Sequence, residues 1–298
     1  MKDLSIIIVS YNTKNVIGEC LESIQENAGA GISYEVIVVD NQSSDGSVEY
    51  LSEDFKMFTT IANKENAGFS RANNIGVKKA TGRYLLFLNP DTVIQKDALG
   101  IMIEFMDRHK DVGAATCKIE LSDGTIDDAS HRGFPTPLNA LFHFSGIAGL
   151  FPNSTFFNGY HLGWKDLDKV HEIDALAGAF MIVRREAGDA VGWWDEDYFF
   201  YGEDIDFCYK LKERGWKIYY VPTVSILHIK GVSGGLKKHS QSMTTATRET
   251  KMRATNWRFD AMNIFYRKHY MKKYPKILTW LVLQGINVKQ RLTVGQLY

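Results

Sequence analysis

Carboxylate side chains stand at three points of the chain where predicted strands or helices meet loops. Asp40 ends one predicted strand, Asp91 follows another, and Glu203 with Asp204 begins a predicted helix. Asp91 could hold a divalent cation, and the cation could hold a diphosphate. Asp40 could accept a hydrogen bond from a base edge or a ribose hydroxyl, and a carboxylate at the helix start could act as a general base.

Each of these carboxylates also has a structural interpretation. Asn89, Pro90 and Asp91 are all turn-forming residues. Acidic side chains in the first turn of a helix are stabilised by the helix dipole by up to ~1 kcal/mol. A turn at Asp91 and a capping role for Glu203 and Asp204 therefore stay open on this reasoning.

Short apolar runs predict the strands that would position these groups. Residues 84–88 form a run that is too short for a typical helix and is typical of a buried strand. Similar runs at 4–9 and 34–39 alternate with segments of helical spacing. This alternation predicts an α/β fold with a Rossmann-like, mostly parallel central sheet and flanking helices. In such sheets ligands bind beyond the carboxyl ends of the strands.

The pattern of the chain changes twice after residue 118. Residues 130–169 are rich in aromatic side chains without a clear period, and one interpretation is a functional loop. From about residue 236 the sequence is helical and basic. We therefore predict an α/β domain over residues 1–235 and a basic, amphipathic helical segment over residues 236–298.

Composition excludes several classes of protein. The 298 residues carry 35 Lys and Arg against 35 Asp and Glu, and this balance argues against a nucleic-acid partner. The chain lacks a glycine-rich fingerprint after its first strand and a Gly-Lys-Ser/Thr loop, so it is not expected to bind phosphates through a glycine loop.

The same features bear on localisation. Three widely spaced cysteines indicate reduced thiols. The first strand follows no charged and apolar leader, and no apolar run approaches the ~20 residues needed to span a bilayer. We expect a cytoplasmic protein, with peripheral contact with the inner face of the membrane left open.

Four motifs together resemble a known family. They are, in order, Val38-Val-Asp-Asn-Gln-Ser-Ser-Asp-Gly46, Asn66-Ala-Gly-Phe-Ser-Arg-Ala-Asn73, Asn89-Pro-Asp91 and Gly202-Glu-Asp-Ile-Asp206. Each is weak alone, but the ordered set resembles the family 2 glycosyltransferases of the GT-A fold over about residues 4–235. The resemblance is closest to the bacterial rhamnosyltransferase-like branch.

The resemblance implies an activity. The protein would be an inverting glycosyltransferase that moves a sugar such as L-rhamnose from a dTDP- or UDP-sugar donor. The acceptor would be a hydroxyl of a saccharide or a lipid-linked saccharide, in cell-surface polysaccharide synthesis. The expected cofactor is Mg²⁺ or Mn²⁺.

The resemblance also implies which residues bind the donor nucleotide. Asp40 would contact the pyrimidine, and Ser10 and Asn12 would line the same pocket. Asp45 matches the acidic residue before glycine in the family's first motif. Asn66, Gly68, Arg71 and Asn73 match the second motif, near the base and ribose, and Arg71 would lie near the diphosphate.

The metal and catalytic roles follow from the same resemblance. Asp91 would bind the cation, while Asn89 replaces the first carboxylate of the family's Asp-x-Asp and offers only a neutral oxygen. His228 is a candidate third metal ligand, with a structural histidine as the alternative. Asp204 would be the catalytic base in preference to Glu203.

Two other functions are weighed against this one. A sugar-phosphate nucleotidyltransferase usually opens with a glycine-rich basic loop, which Ser10-Tyr11-Asn12 is not. A non-catalytic sugar-nucleotide-binding protein would keep Asp40 and could lose the base, and the presence of Glu203 and Asp204 argues against it.

The C-terminal residues have two interpretations. Basic residues followed by Trp280-Leu-Val-Leu283 resemble an interfacial anchor, so residues 276–298 are candidates for peripheral membrane contact. The alternative is a helix that packs on its own domain or on a second subunit in a homodimer.

Overall fold

The computed structural model describes residues 2–29, 31–229 and 248–296. Within these ranges nine strands form one sheet, eight of them in the order β3-β2-β1-β4-β8-β6-β9-β5, while β7 pairs with β9. Pairings show β1, β2, β3, β4, β6 and β9 running in one direction, and β5, β7 and β8 in the other. The prediction of a mostly parallel α/β sheet is confirmed.

The strands and helices have the following bounds. The strands are β1 Leu4–Ser10, β2 Tyr34–Asp40, β3 Thr59–Ala62, β4 Tyr84–Leu88, β5 Thr92–Ile94, β6 Val112–Leu121, β7 His171–Glu172, β8 Phe180–Arg184 and β9 Lys217–His228. The helices are α1 Lys14–Asn27, α2 Ser47–Asp54, α3 Phe69–Val77, α4 Ala98–Arg108, α5 Pro137–Ser145, α6 Ile147–Leu150, α7 Arg185–Val191, α8 Glu203–Glu213, α9 Arg248–Phe265 and α10 Lys276–Gly295.

The central strand β4 is buried on both faces of the sheet. Leu86 and Leu88 pack into the apolar cluster formed with α1 and α4. Leu85 and Phe87 point to the opposite face, into the cluster formed with α7 and α8. Successive side chains of a strand alternate between faces, so an uninterrupted apolar run is what a strand covered on both sides requires.

Strand β9 continues past a proline. Residues Lys217–His228 form one strand, although Pro222 lies within it. Its pairing with β6 shifts register between Cys117 and Lys118, opposite the proline. Proline lacks the N–H that a ladder needs, and the irregularity lets the strand pass it without ending.

The C-terminal helices pack against α8. Phe265 of α9 and Tyr270 of the following π-helical turn share an apolar cluster with Tyr209 of α8, and Val282 of α10 packs on the same cluster. The predicted division between residues 235 and 236 lies outside the described residues. None of the helices described is both long enough and apolar enough to cross a bilayer.

Gly68 holds the start of α3 against the segment that precedes α8. Its φ is +80° and its ψ is 170°, a region that is essentially restricted to glycine. A Cβ built at Gly68 would lie 2.7 Å from the carbonyl oxygen of Phe199, which itself accepts the N–H of Phe69. Any side chain at position 68 would therefore push these two loops apart.

This contact predicts a stability difference between two glycine substitutions. Gly68→Ala combines an unfavourable φ with a backbone clash, whereas Gly124→Ala meets a φ of +79° with no atom within 4 Å. We expect Gly68→Ala to lower the free energy of unfolding by about 1–3 kcal/mol more than Gly124→Ala. Urea unfolding of both variants measures this, and equal losses would show that the loop contact contributes nothing.

Candidate active site

The carboxyl ends of the parallel strands bring the predicted site residues to one edge of the sheet. Ser10 and Asp40 are register partners at the ends of β1 and β2. Asn89 follows β4 and donates its N–H to the carbonyl of Ala179, 3.1 Å away. His228 ends β9 and pairs with Thr92, the residue after Asp91.

Asp40 is fully buried, and its own loop occupies both of its oxygens. Oδ1 accepts the N–H of Ser43 at 2.8 Å, and Oδ2 accepts the Ser43 hydroxyl at 2.6 Å. An ionised carboxylate offers about four acceptor positions, so a base N–H could still share it. Asp40 therefore orders the loop that would receive the nucleotide.

Ser10 and Asn12 belong to the same loop network. The Ser10 and Thr13 hydroxyls lie 2.9 Å apart. Asn12 has a φ of +55°, and its side-chain oxygen accepts the N–H of Ser44 at 2.8 Å. The contact between Asn12 and Ser44 joins the loops after β1 and β2.

Asp45 has a structural role that its sequence motif did not reveal. Oδ2 accepts the first N–H of α1, from Lys14, at 3.0 Å, and Oδ1 accepts the Ser47 hydroxyl and N–H at the start of α2. Burial opposes ionisation, but these hydrogen bonds lower the pKa of Asp45 below its ordinary value. Asp45 thus joins two helix N-termini, while the side chain of Thr13 makes no cap.

The second motif forms the next loop and the start of α3. The Asn66 side chain accepts the N–H of Gly68 at 3.0 Å, and the Gly68 carbonyl accepts from the Asn41 side chain at 3.1 Å. Asn73 is buried and donates to the carbonyl of Phe69 within its own helix. Asn66 and Gly68 therefore lie beside the Asp40 loop, whereas the side chain of Asn73 binds the backbone of its own helix, α3.

Arg71 lies apart from these buried groups. Its side chain is more than half exposed and lies 3.5 Å from Glu65 on the surface. In this structure its guanidinium group does not join the network around Asp40, so the predicted closeness of Arg71 to the diphosphate stays a prediction.

The metal-side residues meet in a buried pair. Asp91 Oδ1 lies 3.2 Å from His228 Nε2, and Asn89 Nδ2 lies 3.4 Å from the same ring nitrogen. The Asp91 carbonyl accepts the N–H of Ile229 at 2.8 Å, which ties β5 to the end of β9. Three residues that the sequence proposed for this role are thus in contact.

Asp127 also contacts His228, and the sequence analysis did not predict this residue as part of the site. It is buried, and its Oδ2 lies 3.6 Å from Nδ1 of His228, on the ring edge away from Asp91. Burial by itself lowers the pKa of His228, but Asp127 and Asp91 raise it above its ordinary value overall. A carboxylate behind an imidazole is the arrangement that orients metal-binding histidines.

The donor atoms fit one divalent cation in part. Two neighbouring ligands of an octahedral cation with bonds of about 2.1 Å lie about 3 Å apart, close to the 3.2 Å between Asp91 Oδ1 and His228 Nε2. A carboxylate with an imidazole suits Mn²⁺ better than Mg²⁺. Within the described ranges no three His, Cys, Asp or Glu side chains form a complete metal site, so other ligands would have to come from substrate or water.

The third group of residues lies at the start of α8. The carboxylate of Asp204 accepts a hydrogen bond from Arg132 Nη2 at 2.6 Å, and both side chains are largely buried. The same Arg132 nitrogen donates to the carbonyl of Leu176 at 3.1 Å. Arg132 also escaped the sequence prediction, because it lies in the aromatic segment that has no period.

Glu203 differs from its neighbour Asp204. It is buried, and its Oε2 has no hydrogen-bond partner. Burial, and then the charge of Asp204, raise the pKa of Glu203 to about 8. Near neutral pH the two adjacent carboxyl groups are therefore in different environments: one is ion-paired, and the other favours its protonated form.

One short segment joins the metal side to the α8 side. Asp127 lies beside His228, and Arg132, five residues further on, binds Asp204. The Asp91–His228 pair and the Asp204–Arg132 pair therefore lie at the two ends of one six-residue segment.

The chain belongs to a family described as Glycosyl transferase family 2, whose model matches residues 5–169. It is similar to Rhamnosyltransferase WbbL of Escherichia coli (strain K12), with 28% identity over 75% of this chain and 82% of that protein. It is also similar to N-acetylglucosaminyl-diphospho-decaprenol L-rhamnosyltransferase of Mycobacterium tuberculosis (strain ATCC 25618 / H37Rv), with 24% identity over 78% of each chain. The family resemblance is confirmed.

Solved structures agree with the fold. GalNAc-T7 crystallised with UDP, GalNAc and Mn²⁺ matches with a TM-score of 0.59 at 16% identity, over 89% of this chain and 50% of that chain. The chain thus spans half the length of that protein. Residues 1–349 of S. aureus TarS match with a TM-score of 0.55 at 16% identity, over 97% of this chain and 80% of that one. The GT-A fold prediction is confirmed.

The buried carboxyl of Glu203 predicts how stability depends on pH. Its pKa of about 8 in the folded state, against an ordinary 4.5, means that the folded protein keeps a proton that the unfolded chain releases between these values. The contribution of this group to the free energy of unfolding is therefore largest at low pH and is lost as pH rises towards 8. Replacing Glu203 with glutamine removes that slope.

We expect Glu203→Gln to become more stable than the unsubstituted protein as pH rises from 5 to 9, by on the order of a few kcal/mol. Urea unfolding across this range measures the difference. Glu186→Gln is the matched control, since Glu186 is an exposed residue in the first turn of α7 and should show no such trend. Parallel pH profiles for both variants would contradict the interpretation.

Proposed function

We propose that this glycosyltransferase is inverting and metal-dependent, and that it transfers a hexosyl group, L-rhamnose in the first instance, from a dTDP- or UDP-sugar. The acceptor is a hydroxyl of a saccharide or lipid-linked saccharide in cell-surface polysaccharide synthesis. The observation that carries the proposal is the placement of the Asp91–His228 pair and the Asp204–Arg132 pair at the two ends of one short segment.

Asp91 and His228 are proposed to hold the divalent cation, with the neutral oxygen of Asn89 as an additional donor. The cation would supply Lewis-acid stabilisation of the leaving diphosphate, which is worth several kcal/mol. Asp127 would orient His228 so that Nε2 faces Asp91. The two buried carboxylates would thus have different roles: Asp91 would bind the cation, and Asp127 would orient His228.

Asp204 is proposed as the general base. Its carboxylate would take the proton of the acceptor hydroxyl while that oxygen attacks the anomeric carbon and the bond to the diphosphate breaks. Arg132 would hold the carboxylate in place. Glu203 is less suited to this task because burial favours its protonated form. With one base and no nucleophile assigned among the described residues, a single displacement with inversion follows.

The donor nucleotide is proposed to bind over Asp40. The N3–H of thymine or uracil can reach the same carboxylate, so Asp40 accommodates either base. The names of two similar proteins, both rhamnosyltransferases, favour dTDP-L-rhamnose. The name of the mycobacterial relative contains a lipid-linked acceptor, N-acetylglucosaminyl-diphospho-decaprenol, and this supports a cytoplasmic reaction at the inner face of a membrane.

The base assignment predicts separable effects on binding and turnover. Asp204→Asn should lower donor turnover by about 10²–10⁴-fold, because the acceptor proton loses its base. Binding of the nucleotide, measured by thermal shift with Mn²⁺ and a panel of dTDP- and UDP-sugars, should stay unchanged. Turnover is measured by release of the nucleoside diphosphate.

Asp197→Asn serves as the control, since Asp197 is a largely exposed carboxylate beside Lys268, and it should keep full activity. Nucleotide-sugar binding without turnover in the unsubstituted protein would exclude an enzyme. Normal turnover in Asp204→Asn would exclude this residue as the base.

The ion pair between Arg132 and Asp204 generates a second prediction. Arg132→Gln should lower turnover, because the carboxylate of Asp204 loses the donor that holds it in place. Arg132→Lys keeps the charge but lacks the planar donor fork, so we expect a smaller loss of turnover. Unchanged turnover in Arg132→Gln, with the fold intact by circular dichroism, would contradict the assignment.

A further inference from the structure

Helix α10 has an apolar stripe that faces solvent. Ile277, Trp280, Leu281, Val288 and Leu292 are each between 53% and 73% exposed. Their spacing places them on one side of a helix with 3.6 residues per turn, and between Ile277 and Leu292 the stripe runs for roughly 22 Å. The opposite side, with Val282 and Leu283, packs on the apolar cluster of α8 and α9.

The same part of the chain carries a strong positive charge. Residues 248–296 contain eleven lysines and arginines against two acidic residues. The segment therefore carries net +9, although the whole chain is neutral, so the remainder carries net −9. Lys276 and Lys289 are exposed on α10 near the two edges of the apolar stripe, and Lys272 is exposed just before the helix.

A second exposed apolar patch lies on the aromatic segment, at α5, α6 and the turns that follow. Its members are between 41% and 75% exposed, and they are Leu138, Leu141, Phe144, Leu150, Phe151 and Phe156. Phe134, three residues before α5, packs on the same apolar cluster as Val282 and Leu283 of α10. The start of α5 therefore lies close to the C-terminal helices.

We propose that the α10 stripe and the α5–α6 patch together form a docking surface for an anionic lipid bilayer. A basic helix with one apolar face lies in the interface plane, with its apolar side chains among the acyl chains and its cations near the headgroups. The alternative occupant is a second copy of the chain. In a dimer through this surface, two segments of net +9 would repel each other, whereas an anionic bilayer attracts the positive charge of the segment.

The docking surface is connected to the catalytic helix. His269, in the π-helical turn after α9, lies 2.6 Å from the buried carboxylate of Asp206 on α8, and Lys273 lies 2.9 Å from Glu213 at the end of the same helix. Contact with the bilayer would thus fix the orientation of α8, with Asp204 at its start, relative to the lipid surface. The proposal concerns binding alone and does not require the sugar-transfer reaction.

Flotation with phosphatidylcholine vesicles, with and without phosphatidylglycerol, tests the proposal on the full chain. The protein should float only with the anionic vesicles, and less so at high salt, which screens the charges. Trp280→Glu should weaken binding by roughly tenfold or more, since it places a charge in the apolar stripe. Lys276→Gln and Lys289→Gln should each weaken it by about fivefold, the effect of one basic residue near an anionic surface.

Met57→Glu is the matched control, because Met57 is 64% exposed, close to the 61% of Trp280, and lies between α2 and β3. It should bind vesicles like the unsubstituted protein. Leu141→Glu tests the α5–α6 patch and, like Trp280→Glu, should weaken binding. Thermal melting confirms that each variant folds.

Equal binding of Trp280→Glu and Met57→Glu, or no binding to anionic vesicles, overturns the proposal. A lipid-free dimer in light scattering that Trp280→Glu dissociates would assign the surface to a second copy and also overturn it.

Discussion

A carboxylate that is removed from water requires a cation or hydrogen-bond donors beside it, since an unpaired buried charge costs several kcal/mol. This requirement organises the carboxyl edge of the sheet. Asp91 lies against His228, and Asp204 lies against Arg132. Glu203 has no hydrogen-bond partner at its Oε2, and its raised pKa favours the protonated form. Groups fixed in this way need little reorganisation when charge develops during a reaction.

The sequence was most informative where local signals decide the structure. The apolar run of β4 and the proline after it located Asp91 at the end of a buried strand. The partners of these groups could not be found in this way. Arg132 and Asp127 lie in or beside a segment without a period, and their roles come from contacts with residues 72 and 101 positions away. A contact of that range leaves no trace in local spacing.

The C-terminal helices show the same limit from another side. Their basic, amphipathic pattern suggested an appended segment, yet buried Asp206 of α8 lies against His269, and Tyr209 packs on Phe265. Burying Asp206 requires the C-terminal chain to return to α8, and no pattern within either helix reveals it. On the other side of α8, the hydrogen bond from the N–H of Phe69 to the carbonyl of Phe199 joins the segment before α8 to the loop at Gly68.

The central claim is that the Asp91–His228 pair and Asp204 act on one sugar from opposite ends of the segment 127–132. A crystal structure of the protein with Mn²⁺ and a dTDP-sugar tests it most directly. The account predicts Mn²⁺ bound to Asp91 and His228 at about 2.2 Å, with the anomeric carbon between the diphosphate and the carboxylate of Asp204. A cation held by other residues, or a sugar whose anomeric carbon faces away from Asp204, would contradict it.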